Sequence, residues 1–248
     1  MKKGLGIFGR QYEIMYKNDV HAVGTVDRVL CEQMIKLDDN SKEYLYNSHT
    51  DLSCRYKPGA RVFLEGIVNS LRGLTPRETV ENIISYCRNI VINCDTDTEE
   101  LVFGGTEEEI ITRGTYWCTD IARVACVMFQ IAGLPSRIII TANTKSAYSG
   151  HVVTEVYYSN RWEVADPTSG KIYRDAAGIS KSTWDIHNEK LDGQFGAVAV
   201  SNYYVDDKEK YSYETSRVND YYREILKHSA EQWAGGVRWV HGEDAAVD

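Results

Sequence analysis

Arg113-Gly-Thr-Tyr-Trp-Cys118-Thr-Asp-Ile-Ala-Arg-Val-Ala-Cys-Val-Met-Phe-Gln-Ile-Ala-Gly133-Leu-Pro-Ser-Arg137 is the stretch from which the rest of the chain can be read. It opens on turn formers and closes on Gly133-Leu134-Pro135, which stops a helix because glycine takes the left-handed cap and proline cannot continue the turn. Between them, residues 118–132 carry Ala122, Val124, Ala125, Val127, Met128, Phe129, Ile131 and Ala132, which leave almost no polar face. A helix apolar nearly all round belongs in the centre of a core. Cys118 falls in its first turn, where unpaired N–H groups and the helix dipole favour a thiolate, the reactive form of the side chain. A cysteine on a helix is ordinarily packing; chemistry requires a base and a group to orient that base.

Both follow. Residues 137–143, 151–158 and 161–167 are rich in β-branched and aromatic side chains and bounded by turn formers, the pattern of strands. Ser159-Asn160 makes a two-residue hairpin between the last two. If Tyr158 pairs with Arg161, Val153 faces Asp166, and His151 lies diagonally across from that aspartate on one face. Diagonal neighbours are within reach of long side chains, whereas a loop one residue longer would send the two to opposite faces.

In this order, Cys118, His151 and Asp166 resemble the nucleophile, base and carboxylate of the transglutaminase-like thiol enzymes, a group that includes transglutaminases, peptide N-glycanases and bacterial cysteine proteases. The resemblance rests on Cys118-Thr-Asp-Ile-Ala122 opening the helix and Ala132-Gly-Leu-Pro-Ser-Arg137 closing it, on His151-Val-Val-Thr-Glu-Val156, and on Trp162-Glu-Val-Ala-Asp-Pro-Thr168. It implies an α+β fold with a papain-like or transglutaminase-like core: a buried nucleophile helix on an antiparallel sheet, with accessory N- and C-terminal helices. It implies acyl transfer through a thioester, with backbone N–H groups at the helix start, that of Cys118 included, meeting the oxyanion. The family usually has a glycine two residues before the cysteine. Here Gly114 lies four before it, and Tyr116-Trp117 intervene as candidate walls of the substrate cleft. Glu155, on the same strand face as His151, is a candidate to support the imidazole from behind. Asp120, Arg113 and Arg137 belong to the matching segments and are expected to cap the helix and pin loops. His21, His49, His187, His228 and His241 lack a strand and carboxylate beside them.

The rest of the chain bounds this reading. Its 248 residues hold 43% hydrophobic and 26% charged side chains, a globular composition. With 28 basic and 36 acidic residues the net charge is −8, which disfavours nucleic acid or an anionic membrane surface as partner. No apolar run reaches the length of a membrane span, and Gly4-Leu-Gly-Ile-Phe-Gly9 is too short and broken for a signal-peptide core, so a cytoplasmic location is expected. The six cysteines are irregularly spaced and are expected to be reduced thiols. No Cys-x-x-Cys, His-Glu-x-x-His or twelve-residue calcium loop is present, so no metal and no cofactor are expected. Gly4, Gly6 and Gly9 spell the dinucleotide fingerprint, but only three residues precede it where that motif needs a strand.

Upstream of the nucleophile, Val26, Val29, Leu30, Met34 and Leu37 recur at helical spacing over 25–37, ending at Asp38-Asp-Asn-Ser41. A polar, tyrosine-rich loop then runs to Lys57-Pro58-Gly59, and a second helix covers about 60–72. Thr75-Pro-Arg-Glu78 starts a third with Val80, Ile83, Ile84, Cys87 and Val91 on its inner face. The acidic runs 95–100 and 107–109 read as solvated loops. Downstream, 171–173 and 197–200 are short strands and 215–226 a helix opened by Thr215-Ser216. The expected organisation is accessory helices over 1–72, a catalytic core with its C-terminal extension over 73–242 and a disordered tail over 243–248, together one compact domain. The substrate is expected to be a peptide or other amide. Hydrolysis is the first reading, transfer to an amine the second, and a non-catalytic binding scaffold the third.

Overall fold

The structure is a computed structural model that describes residues 34–37, 39–46, 52, 54, 56–95, 106–143, 149–193, 195, 197–201 and 239–240. It is an α+β fold in which helices cover an antiparallel sheet. The helices are α1 (Asp39–Tyr46), α2 (Val62–Leu71), α3 (Pro76–Ile92), α4 (Glu107–Arg113), α5 (Cys118–Ile131) and α6 (Thr183–Asn188). The strands are β1 (Met34–Lys36), β2 (Ser136–Asn143), β3 (Ser149–Tyr158), β4 (Arg161–Asp166), β5 (Lys171–Ile172), β6 (Ala197–Ser201) and β7 (Trp239–Val240). In the sheet they lie in the order β5-β4-β3-β2-β6-β1-β7.

All fourteen residues of α5 are buried, as its lack of a polar face requires. It packs on β2 and β3, with α2, α3 and α4 against its other sides. Side chains such as Ile121, Val124, Val127 and Phe129 are fully enclosed, each worth about 1.5–3 kcal/mol relative to an exposed position. The helix ends where the sequence says. Gly133 takes φ +86°, its N–H donates to Gln130, and the Leu134 N–H reaches back to Phe129, the paired bonds of a Schellman cap. Arg72, at the end of α2, donates to the carbonyls of Ile131 and Ala132 as well. The start of α3 forms a complete capping box between Thr75 and Glu78, with Pro76 at the first helical position.

The β3–β4 hairpin adopts the register read from the sequence: Tyr158 pairs with Arg161, Tyr157 with Trp162 and Thr154 with Ala165. Ser159 and Asn160 both have positive φ, 50° and 59°, which matches the right-handed twist of the flanking strands.

Three expectations need correction. Met34–Lys36 is a strand inside the sheet, not the end of a helix over 25–37: Ile35 pairs with Val198 of β6 and with Trp239 of β7. Apolar residues at three- and four-residue steps in a short run do not separate helix from strand, and here the sheet's need for partners decided. Asp39–Tyr46, read as the end of that helix and part of a loop, is itself a helix with Leu45 in the core. Glu107–Arg113, read as an acidic loop, is a helix with a full capping box from Thr106 to Glu109, and Glu107 is buried. The glycine motif at 4–9, positions 25–33, most of the acidic run 95–100, the helix at 215–226 and the tail at 243–248 lie outside the described residues, as do His21, His49, His228 and His241. Among the described residues no helix is long and apolar enough to cross a membrane.

Candidate active site

Cys118 is the first residue of α5, with Trp117 extended at the cap, and it is 8% exposed. The turn leading into it is tight. Gly114 has φ +78°, which strains any side chain, and a Cβ there would also crowd the Cys94 Cβ at 3.1 Å. Thr115 then accepts a hydrogen bond from the Trp117 N–H at 3.0 Å. The N–H groups of the first helical turn have no acceptor within the helix and point out of its end, on the side of the thiol.

His151 sits near the start of β3. Thr141, opposite it on β2, holds its backbone from both sides: the hydroxyl donates to the His151 carbonyl at 3.0 Å and accepts from its N–H at 3.2 Å. The ring Nε2 lies 3.1 Å from Asp166 Oδ1, and the Cys118 side chain acts on the proton affinity of the ring. Helix α5 and the β3–β4 hairpin thus bring Cys118, His151 and Asp166 together from sequence positions up to 48 residues apart.

Asp166 closes an Asx-type turn with the Pro167-Thr-Ser-Gly170 segment. It accepts from the N–H groups of Thr168 at 2.9 Å and Ser169 at 3.3 Å, and from the Ser169 hydroxyl at 2.5 Å. Arg88 of α3 pins this turn through the Thr168 carbonyl at 2.6 Å. Ser169 and Thr141 are positioning groups absent from the sequence reading. The first was legible as Asp-Pro-Thr-Ser, a local Asx signature; the second depended on a strand pairing.

Electrostatics follow from this geometry. Burial by itself would lower the proton affinity of His151, but the Asp166 carboxylate and the Cys118 side chain reverse that and raise its pKa to about 10. Burial would raise Asp166, and the imidazole with Ser169 instead holds it below the ordinary carboxylate value. A pKa raised from about 6.5 stabilises the fold fully below pH 6.5, and that contribution is lost as the pH climbs through 10. We therefore expect the His151 ring to stay protonated in an NMR titration through pH 8. A midpoint near 6.5 would show that Asp166 does not act on it.

Glu155 lies four residues along β3 from His151 and is fully buried. Its carboxylate accepts from Arg137 Nε at 2.8 Å, from the Tyr46 hydroxyl at 2.7 Å, and from the backbone and hydroxyl of Thr183, each at 2.7 Å. Arg137 is stacked over Trp162, with its guanidinium 4.1 Å from the ring centre. This network ties α1 and α6 to the sheet. Trp117 is 3% exposed and belongs to the core, while Tyr116 is half-buried against it. His187 faces the Phe195 carbonyl at 2.7 Å, a local contact within the segment after β5. Arg113 pairs with Asp120 at 3.0 Å, the helix-start contact expected of them. A groove of about 270 Å³ opens at the turn end of the hairpin, lined by Tyr46, Tyr157, Trp162 and Trp184 among others. It lies roughly 20 Å along β3 from His151, by the rise of a strand, and does not include the thiol. Among the described residues no three His, Cys, Asp or Glu side chains are grouped to hold a metal ion.

Residues 66–167 match the family model described as the transglutaminase-like superfamily. The matched segment runs from α2 through β4 and contains all three residues of the cluster. No curated protein matches the chain. Solved structures similar to it include a protein described as a TGase, 17% identical, with a TM-score of 0.34 over 64% of this chain and 43% of that one. A protein from Cytophaga hutchinsonii provisionally described as a cysteine protease is also 17% identical, with a TM-score of 0.34 over 68% of this chain and 60% of that one. The similarity thus spans less than two thirds of either of those proteins.

Proposed function

We propose that this protein is a cysteine-nucleophile enzyme that hydrolyses amide bonds through a thioester. The observation that carries the reading is the His151 ring, 3.1 Å from Asp166, with a thiol in the first turn of a buried helix acting on its proton affinity. With Nε2 turned to Asp166, Nδ1 serves Cys118. The Cys118 sulfur attacks the carbonyl carbon, and the oxyanion is met by N–H groups of the first helical turn. As the tetrahedral intermediate collapses, the carbon–nitrogen bond breaks and the amine leaves with the proton from His151. Water then gives its proton to His151 and adds to the thioester, and loss of the thiolate frees the acid. Asp166 stays ionised throughout and keeps the ring in the productive orientation.

Water, not an amine, as the acceptor is supported by the surroundings of the thiol. A transferase must shield its acyl-enzyme from water within an apolar tunnel. The residue after the nucleophile is Thr119, and the indole of Trp117 is spent on the core. Transfer to an amine is the alternative that the test must separate.

Limiting iodoacetamide at neutral pH, followed by peptide mapping, is expected to label Cys118 first. Burial raises the thiol pKa of Cys87 and pushes Cys126 up to about 12, so neither competes. Preferential labelling elsewhere would remove Cys118 as nucleophile. An acyl-enzyme trapped from a panel of amide substrates is then expected to decay at a rate independent of added primary amine. Saturable acceleration with an amide product would assign a transferase.

A further inference from the structure

Asp166 ends β4, whose outer neighbour is the edge strand β5, only two residues long and paired through Ala165 with Ile172 and Asp166 with Lys171. The turn that joins these strands holds the carboxylate. The N–H groups of Thr168 and Ser169 donate to Oδ1 and the Ser169 hydroxyl to Oδ2, while the Gly170 N–H closes the turn on the Asp166 carbonyl at 2.8 Å. A four-residue turn beside so short an edge strand is the kind of segment that opens locally unless a rigid element holds it. Helix α3 supplies that hold. Val80, Ile83, Ile84, Cys87 and Val91 are buried and fix the helix in place. From it Arg88 reaches the turn, and two parts of its side chain act there. The guanidinium donates from Nη1 to the Thr168 carbonyl at 2.6 Å. The stem lies against Gly170, so close that a Cβ there would come within 3.2 Å of Arg88 Cγ, and φ at Gly170 is +74°. Arg88 thus touches the turn on both sides of Ser169, the residue that bonds both carboxylate oxygens.

We propose that Arg88 is a positioning residue for the site: by clamping the turn at 167–170 from α3 it keeps the three turn donors in place and so aims the Asp166 carboxylate at His151. The role is mechanical, and its signature is opposite in sign to the direct effect of a cation. Loss of a positive charge would by itself raise the proton affinity of His151, whereas a carboxylate that swings away lowers it. The other titratable groups that bear on the pair are Cys118 of α5, which acts on the ring, and Tyr173 after β5, whose hydroxyl Asp166 helps to keep protonated. Lys171, opposite Asp166 in the register, lies 3.9 Å from Asp192. None of these side chains is altered when Arg88 is replaced. The inference rests on the reading of Cys118, His151 and Asp166 as the reacting cluster.

The test is an NMR titration of the His151 ring in wild type, Arg88→Met, Asp166→Asn and the double variant, with the thermal midpoint of each measured in parallel. Methionine keeps a stem against Gly170 and removes the donor. Arg88→Met is expected to lower the His151 titration midpoint by about one pH unit or more from about 10, the loss that follows when an opposite charge moves off. In the Asp166→Asn background the same change is expected to move the midpoint by less than about half a pH unit, because no carboxylate is left to aim. Should Arg88→Met not fold, Arg88→Gln is read in its place with the same outcomes. An unchanged or raised midpoint in the folded variant, or an equal fall with and without the Asp166 carboxylate, would overturn the proposal and leave the triad reading intact. A wild-type midpoint near 6.5 would instead overturn that reading.

Discussion

Asp166→Asn is expected to lower turnover on any accepted amide by about 10³–10⁴-fold with the fold intact, as loss of the orienting carboxylate does in catalytic triads. The asparagine carbonyl can still accept from the N–H groups of Thr168 and Ser169, which hold the turn at 2.9 and 3.3 Å. It carries no charge, however, and if its oxygen stays with those donors its amide group has nothing to offer an imidazole N–H. Burial, the largest influence on His151, would then act with less opposition and lower its proton affinity. The ring would lose both its orientation and the stabilisation of its charged form. Measurement of kcat, with circular dichroism and an unfolding midpoint as controls, checks this. A rate within about tenfold of wild type would remove Asp166 from the mechanism.

Glu107→Ala is expected to destabilise the fold by about 3–5 kcal/mol, because it leaves two buried arginines without their shared carboxylate. Arg123 has no solvent exposure and Arg61 is 8% exposed by side chain, so neither can turn to water in place of Glu107. Arg61 keeps Glu108, and Arg123 keeps a longer contact to Asp120, which places the loss below that of two isolated charges. Urea unfolding measures the effect directly, and the thermal midpoint is expected to fall by about 10 °C or more for a chain of this size. A change below about 1 kcal/mol would mean that Arg123 re-pairs fully with Asp120.

The helix that begins at Cys118 was legible from its own residues, because an apolar run between a turn and Gly133-Leu-Pro has only one environment that suits it. The hairpin was legible as well. A two-residue turn at Ser159-Asn160 forces the pairing of Tyr158 with Arg161, and that pairing determines which face Asp166 shares with His151. Both are local facts: the residues that decide them are adjacent in the chain. The helix at Glu107–Arg113 is encoded too, through Thr106 and Glu109 at capping-box spacing before Ile110-Ile111, although three glutamates in a row have the look of a solvated loop.

What the tertiary structure alone decided is long-range. Three residues, Met34–Lys36, became a strand because β6 and β7 supplied partners some 160 and 200 residues away, and no periodicity within 25–37 encodes that. The same holds for charge. Glu107 and Asp120 read as acidic residues near a helix start, and only packing reveals that Arg61, Arg113 and Arg123 converge on them. Glu155 likewise found Tyr46, 109 residues before it, and Thr183, 28 residues after it. A backbone turn or a helical stripe is set by steric rules over a few residues. The pairing of buried charges is set by the cost of leaving any one of them unmatched in a low dielectric, and that cost is settled only when the whole core closes.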